Sequence, residues 1–232
     1  FFFFLKILLF QLVFLGISGA IFAQATGFGI NAGPGLGFQR WNGGSKRDLL
    51  SIYHVDAFLD SESASGNIIY GQLGFHTRGS SSRIGPFEDV NGIYYPARRL
   101  KTVFSNVVLE IGAKKLVQTK RFETFYALGV RGEYTSKSKF EFYDELQDWV
   151  RKFNYGISIR MGAEWKWNKL TKYGIDLNIA PDISKQIYVP AGIRYYNPIT
   201  KTTSPGYEQS VRNIAIELSF YIRFLQIIEY DE

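Results

Sequence analysis

Cysteine is absent from the sequence, and histidine occurs twice, as His54 and His76. The lack of cysteine excludes a disulfide framework, a thiolate metal site and a cysteine nucleophile. Two histidines would need a carboxylate such as Asp56 to complete even a weak metal site. A hydrolase triad would need a serine at a distinctive spacing from them, and none is present. We therefore predict interior polar side chains here, with no metal ligands and no catalytic residues.

The sequence also lacks the phosphate-binding motifs that depend on glycine. Its early glycines recur every second residue, as at positions 27 and 29 and at 33, 35 and 37. This is the spacing of one strand face rather than of a dinucleotide fingerprint or a P-loop. We predict no cofactor and no nucleic-acid partner.

Long apolar runs are absent after the first 22 residues. The stretch from Phe1 to Phe22 is interrupted by Lys6, Gln11 and Ser18 alone, and small residues lighten its second half. With a cleavage site at Ala23 or Ala25, residues 1–23 are predicted to be a secretory signal peptide. An uncleaved transmembrane helix is the alternative. Residues 24–232 are then a single domain.

A strict two-residue alternation marks the stretch 213–224. Its even-numbered residues from Ile214 to Phe224 are all apolar, whereas Glu217, Ser219 and Arg223 lie on the other face. Successive side chains of a strand point to opposite faces, so this is a strand with one oily face and one mixed face. It is long enough to cross a bilayer, which takes about 9–11 tilted residues. A lone strand in lipid would leave its backbone polar groups unpaired, so the stretch predicts one strand of a closed barrel.

Seven further stretches show the same alternation. With 213–224 they are predicted as strands at 27–41, 49–59, 68–78, 102–114, 122–134, 153–167 and from 173 onward. The connections alternate between long and short, apart from a modest first loop, as in barrels with long outer loops and short periplasmic turns. Pro34 lacks a ladder donor and predicts a bulge in the first strand. The fold prediction is an all-β, eight-stranded antiparallel up-and-down transmembrane β-barrel with long extracellular loops.

Alternation alone does not say which face is outside. In a soluble lipocalin-type barrel the apolar face would line the cavity. Glycines share the mixed face with charges, which fits a tight interior. Aromatic residues make up 17% of the chain and fall near predicted strand ends, as in the girdles of membrane barrels. These features and the signal segment favour the membrane barrel.

The mixed faces carry charges of both signs, which a lumen filled by side chains must pair. An ion path would require a wider lumen. The predicted interior charge network contains Asp56, Glu110, Glu123, Arg131, Glu133, Arg160, Glu164, Glu217 and Arg223, together with Lys114, Lys166 and Asp176.

The predicted outer loops combine basic and aromatic residues. The net charge of +6 suits the phosphates of surface glycolipid as well as a protein partner. The third loop, with a short helix predicted within 143–152, either packs over the barrel mouth or receives a partner. The proposed contact residues are Arg83, Arg98, Arg99, Tyr94, Tyr95, Trp149, Tyr195 and Tyr196.

Three features resemble small outer-membrane β-barrel proteins of the Bacteroidota, the class called PorT-like. They are the signal end Ala20 to Gln24, the glycine-rich strand from Phe28 to Gly33 and the last strand ending at Phe224. In that class the terminal aromatic ends the chain, whereas here residues 225–232 follow it. The resemblance implies an outer-membrane location and, for some members, a part in secretion.

Together these observations predict a non-enzymatic structural or adaptor subunit of a larger envelope complex. An enzyme acting on outer-membrane lipid and a narrow ion channel are the alternatives.

Overall fold

The computed structural model describes residues 23–42, 47–89, 91–119, 121–141, 144–192, 194–197 and 202–227. Eight long antiparallel strands form the wall of a barrel: β1 (Ala23–Trp41), β2 (Leu50–Ser63), β3 (Asn67–Ile84), β6 (Arg98–Gln118), β7 (Glu123–Phe140), β8 (Phe153–Lys166), β9 (Thr171–Pro181) and β13 (Gln209–Ile227). The connections contain short strands: β4 (Phe87–Glu88), β5 (Tyr94–Tyr95), β10 (Ile187–Val189), β11 (Arg194–Asn197) and β12 (Thr202–Pro205). A 3-10 helix spans Asp144–Trp149, within the segment predicted to be helical. Within these described ranges, no helix is both long and apolar enough to cross a membrane.

The wall closes because β1 pairs with β13 as well as with β2. Stepping from Ala163 on β8 through each ladder partner around the ring leads back to β8 at Phe153, ten residues away. Eight strands with this stagger tilt by about 40° and enclose a lumen that side chains fill. The eight-stranded up-and-down barrel predicted from the alternation is confirmed.

The apolar faces point outward. Leu128, Ile159 and Leu218 are 61%, 42% and 37% exposed on the outside of the wall. Arg131 and Glu217, from the alternate positions of the same sheet, are 3% and 1% exposed inside it. This arrangement is the reverse of a soluble barrel, so the lipocalin-type alternative is excluded.

Aromatic rings mark the two ends of the apolar band. At the end near the short turns, Phe28 packs against Phe224, and Trp165 stacks on Tyr173, with ring centroids 5.5 and 5.7 Å apart. At the end near the long connections, Tyr134 packs against Phe153 at 5.1 Å. Such girdles are typical of the two interfaces of a membrane-spanning barrel.

The bulge predicted at Pro34 is wrong. Pro34 lies opposite Tyr53, and the pairing of β1 with β2 keeps one register on both sides of it. The β1–β2 register shift lies instead between Ala23 and Ala25. Pro34 is tolerated because the pairings of β1 with β13 are interrupted at residues 33 and 34, where no ladder donor is needed.

The strands are longer than predicted on the side of the long connections. β3 continues to Ile84, β6 begins at Arg98 and β7 continues to Phe140, so much of the predicted loops is paired sheet. Crossing the bilayer takes about 9–11 residues, and these strands have 18 to 21. The wall therefore extends well beyond the membrane on this side. The proposed signal segment lies outside the described residues, except Ala23, the first residue of β1.

Candidate functional site

The lumen is filled by charged and polar side chains from all eight wall strands. Ten members of the predicted interior network are buried: Asp56, Glu110, Glu123, Arg131, Glu133, Arg160, Glu164, Asp176, Glu217 and Arg223. Lys114 is half-buried, whereas the prediction is wrong for Lys166, which lies at the strand end with an exposed side chain. Strand alternation places the buried members inside, and the ladder register sets which of them meet. They form three layers along the barrel axis.

The layer near the short turns is centred on Glu164. Its carboxylate accepts hydrogen bonds from Lys114 at 2.8 Å and Lys172 at 3.0 Å, and from the Tyr221 hydroxyl at 2.9 Å. Arg223 lies 3.4 Å from the same carboxylate. One buried anion thus holds three cations, which offsets the desolvation of all four groups.

Further carboxylates around this layer balance the positive charge that the three cations carry in excess of Glu164. Arg223 donates to Asp60 at 2.7 Å and to Glu62 at 2.9 Å. Lys172 donates to Glu123 at 2.5 Å, and the more exposed Lys166 lies 3.3 Å from Glu123. The pairs connect β13 to β2 and β9 to β7, each time bridging over the one strand that lies between them.

The middle layer is a fork between Arg160 and Glu110. Two guanidinium nitrogens of Arg160 each donate to a Glu110 oxygen at 3.2 Å, and the Tyr70 hydroxyl donates to Glu110 at 2.8 Å. Asp176 lies 3.8 Å from Arg160 on the other side. Two parallel hydrogen bonds fix the orientation of the guanidinium as well as its charge.

Gly129 gives this fork its space. A Cβ atom at Gly129 would lie 2.8 Å from the Glu110 carboxylate, the Ser158 hydroxyl and the Tyr70 hydroxyl. Glycines on the inner faces therefore leave room for long charged side chains opposite them.

We expect Gly129→Val to lower the free energy of unfolding by about 1–3 kcal/mol, because overpacking displaces buried partners. Urea titration of the protein in phospholipid vesicles measures it. Gly132→Val is the matched control, because nothing lies within 4 Å of a Cβ there. Equal losses in the two variants would contradict the packing role of Gly129.

The layer near the long connections joins His76, Arg78, Glu133 and Glu217. His76 lies 2.7 Å from Asp56 and 2.9 Å from Glu217. Arg78 contacts Glu133 at 3.2 Å and also pairs with Glu217. Arg131, which also pairs with Glu133, connects this layer to Asp182 at 2.6 Å. Glu133 is thereby shared between two guanidinium groups, and Glu217 between Arg78 and the His76 ring.

The barrel mouth is closed above this layer by an apolar cluster. Leu146 of the 3-10 helix and Ile187 and Val189 of β10 pack on Phe104 and Phe140 from the wall. Trp149 is half-buried against the same cluster. The third loop therefore packs into the mouth, which is the first of the two alternatives predicted for it, and Trp149 takes part in this packing.

The lumen retains a cavity of about 50 Å³ between the first and middle layers. Asn31, Asp60, Gln72, Lys114 and Asp176 are among the residues that line it. This volume holds a few water molecules. Within the described residues, the Glu164 layer and the Arg160–Glu110 fork lie on either side of it.

The two histidines belong to the lumen rather than to a lipid-facing site. His54 and His76 are 3% and 1% exposed, with ring centroids 5.3 Å apart, and His54 lies 3.0 Å from Ser219. A substrate acyl chain on the outside of the wall could not reach them. In the described part of the chain, no three His, Asp or Glu side chains are grouped to hold a metal ion.

The remaining predicted contact residues lie on the extended part of the wall and in the long connections. Arg83 and Arg99 are direct cross-strand partners on the extended β3–β6 sheet, and Arg98 lies opposite Ile84. Tyr94 and Tyr95 form β5 at the tip of this hairpin, where Tyr95 stacks on Phe87 at 5.0 Å. Tyr195 and Tyr196 lie in β11, opposite Ser204 and Thr203 of β12.

Sequence reasoning missed several members of the network. Asp60 and Lys172 lie just outside the predicted strand ends and Asp182 lies in a predicted connection, yet all three are buried partners of the network. Arg78 lies at the end of the predicted third strand and is also a buried partner that the predicted network lacks. Continuing the alternation of each strand beyond its apolar residues would have located Asp60 and Lys172.

No protein-family model matches the chain, and no curated protein matches it either. Among solved structures it is similar to the outer membrane protein OprG from Pseudomonas aeruginosa, at 10% identity and a TM-score of 0.47, covering 87% of this chain and 97% of that one. It is also similar to Ail, the attachment invasion locus protein of Yersinia pestis, in complex with the heparin analogue sucrose octasulfate. That match has 10% identity and a TM-score of 0.37, and covers 84% of this chain and 98% of the other.

The outward apolar band, the two girdles and the ion-paired lumen define the class of the protein. It is a membrane-spanning β-barrel with the architecture of outer-membrane-type barrels.

Proposed function

We propose that this barrel is a non-enzymatic structural or adaptor subunit of a larger cell-envelope complex, one that serves secretion or transport. The sequence resemblance to PorT-like barrels of the Bacteroidota supports this proposal through the glycine-rich β1 and the aromatic end of β13. The observation that carries it is a contrast between two parts of the barrel. The lumen is filled by side chains, whereas the outer hairpin exposes apolar side chains that a partner protein could cover.

The hairpin between β3 and β6 projects beyond the wall and exposes large apolar side chains at its tip. Phe87, Ile93 and Tyr94 are 45%, 53% and 62% exposed. Because the hairpin tip lies beyond the membrane-spanning part of the wall, lipid does not cover these side chains. Exposed apolar clusters of this kind mark protein contact sites. The hairpin is therefore the proposed partner-binding element.

Site-specific photo-crosslinking in intact envelopes tests the proposal. A photoreactive residue at position 94 should give one discrete protein adduct, and the adduct should disappear in a Phe87→Ser/Tyr95→Ser variant that keeps its barrel. The same residue at position 130, on the lipid-facing wall, is the control and should crosslink lipid. Extraction as a lone monomer with no adduct at position 94 would contradict an adaptor role.

The narrow-channel alternative predicts ion conductance, whereas the three charged layers and the apolar cluster at the mouth predict none. We expect planar bilayers containing the purified protein to remain silent at moderate voltage. Discrete conductance steps from the wild type would favour the channel and contradict the filled lumen.

A further inference from the structure

A β-bulge in β7 changes which residues face outward above the membrane. Asn106 pairs with Thr135, whereas the next residue of β6, Ser105, pairs with Lys137, so Ser136 is an extra residue. Up to Tyr134, the even-numbered residues of β7 face outward. Beyond the bulge the odd-numbered residues do, because one extra residue reverses the alternation.

The reversal turns Lys137 and Lys139 out of the lumen and toward the outside of the wall. Both are exposed, and Phe140 is buried on the inner side. If Ser136 were instead paired in regular alternation, without a bulge, both ammonium groups would point into the mouth, where the apolar cluster lies. The bulge thus places two lysines on the face that carries Tyr134 and Val107 lower down.

These lysines continue a line of cations on β6 and β3. Lys139 pairs with Val103, two positions from Lys101, and Arg99 follows two positions further, opposite Arg83. Neighbours at such spacings lie about 5–8 Å apart on one sheet face. We call this line the basic stripe: Arg83, Arg99, Lys101, Lys139 and Lys137.

The positive charges of the basic stripe are not neutralised by neighbouring carboxylates. All five residues are exposed, and among the described residues none forms an ion pair. Glu141 lies beside Lys101 but accepts from its backbone N–H, at 2.8 Å, and Asp48 is one strand further away, opposite Ser81. Directly opposed like charges, as in Arg83 and Arg99, destabilise a sheet pair in the absence of a bound anion.

The height of the basic stripe on the wall indicates which anion it binds. Its lower end, Lys137, lies three positions beyond Tyr134, whose ring packs on the 76% exposed Phe153 in the outer girdle. At a strand tilt of about 40°, each residue rises roughly 2.5 Å. The lysines therefore lie roughly 5–15 Å above the apolar band, at the level of lipid headgroups.

We propose that the basic stripe binds the phosphate groups of the anionic glycolipid of the outer leaflet, with the acyl chains of that lipid lying on Val107, Tyr134 and Phe153 below it. Lysine and arginine above an apolar wall complement a molecule that is anionic at its head and oily below. The lower lysines contact the phosphates nearest the acyl chains, and the two arginines contact charges further out. This inference depends on the membrane orientation and is independent of the adaptor role.

The test compares lipid A carrying both phosphates with the same glycolipid lacking them. Binding to the full chain, folded in neutral detergent micelles, is measured by native mass spectrometry. Each basic residue near an anionic lipid surface contributes about a fivefold factor, so Lys101→Gln/Lys137→Gln/Lys139→Gln should weaken binding on the order of 100-fold. The corresponding Lys→Arg triple variant should bind like the wild type.

A control variant separates position from net charge. Lys115→Gln/Arg121→Gln/Lys169→Gln makes the same charge change at the opposite rim and should leave binding unchanged. The electrophoretic shift between unboiled and boiled samples verifies that every variant is folded.

Equal binding of the phosphorylated and dephosphorylated lipid would overturn the inference, as would unchanged binding by the Lys→Gln triple variant. Capture of a soluble sulfated polysaccharide without capture of lipid A would also overturn it, in favour of a polyanion-binding surface.

Discussion

Replacing Glu164 by leucine should lower the free energy of unfolding by about 3–5 kcal/mol, because it leaves buried cations without their shared anion. Lys114, Lys172 and Arg223 all lie within 3.4 Å of this carboxylate. The lumen offers these cations little bulk water in compensation. Urea titration in phospholipid vesicles, followed by tryptophan fluorescence, measures the loss.

The matched control removes a carboxylate from an exposed pair. Lys185 and Glu208 lie 2.9 Å apart outside the lumen, and their side chains are 30% and 42% exposed. Glu208→Gln should cost about 0–1 kcal/mol, since solvent screens such pairs. A Glu164→Leu variant as stable as Glu208→Gln would show that the lumen is hydrated and that the ion layers do not hold the barrel together.

Glu164 matters because its partners come from distant parts of the chain. Arg223 on β13 contacts both Glu164 on β8 and Asp60 on β2. Lys172 on β9 connects Glu164 to Glu123 on β7. Hydrogen bonds of the wall join neighbouring strands, whereas most of these ion pairs join strands that lie two apart in the ring. The three layers therefore stabilise the cross-section of the barrel.

The strands within the membrane could be predicted because lipid imposes a simple pattern on them. Every second residue of a spanning strand must be apolar, so Ile216, Leu218 and Phe220 reveal both the strand and its outer face. Beyond the lipid that requirement ends. The polar upper parts of β3, β6 and β7 carry no such signal, and the sequence suggested loops where the sheet continues.

Pairing within the lumen was less predictable than burial. Alternation shows that Arg223 and Glu164 face inward, but their meeting depends on the ten-residue stagger of the ring, which no local pattern encodes. The bulge at Ser136 is a second such feature. One extra residue reverses the faces of Lys137 and Lys139, and nothing in the local composition indicates it.

Val130→Arg should lower the free energy of unfolding in phospholipid vesicles by about 2–4 kcal/mol, the cost of arginine at the bilayer midplane. Val130 lies halfway along β7 between Tyr126 and Tyr134, and it is 59% exposed on the outer wall. Exposure of this degree would make the substitution nearly harmless in a water-soluble barrel. The large cost therefore reports directly on which solvent surrounds the wall.

Val117→Arg provides the matched comparison. Val117 is 47% exposed on the outer face of β6, opposite Thr124 and beyond the level of Tyr126, toward the short turns. Arginine near an interface costs about 0–1 kcal/mol, so the same substitution should be tolerated there. Urea titrations of both variants in the same vesicles give the difference. Similar small costs at the two positions would place Val130 in water and reject the membrane-spanning orientation on which the basic stripe and its lipid ligand depend.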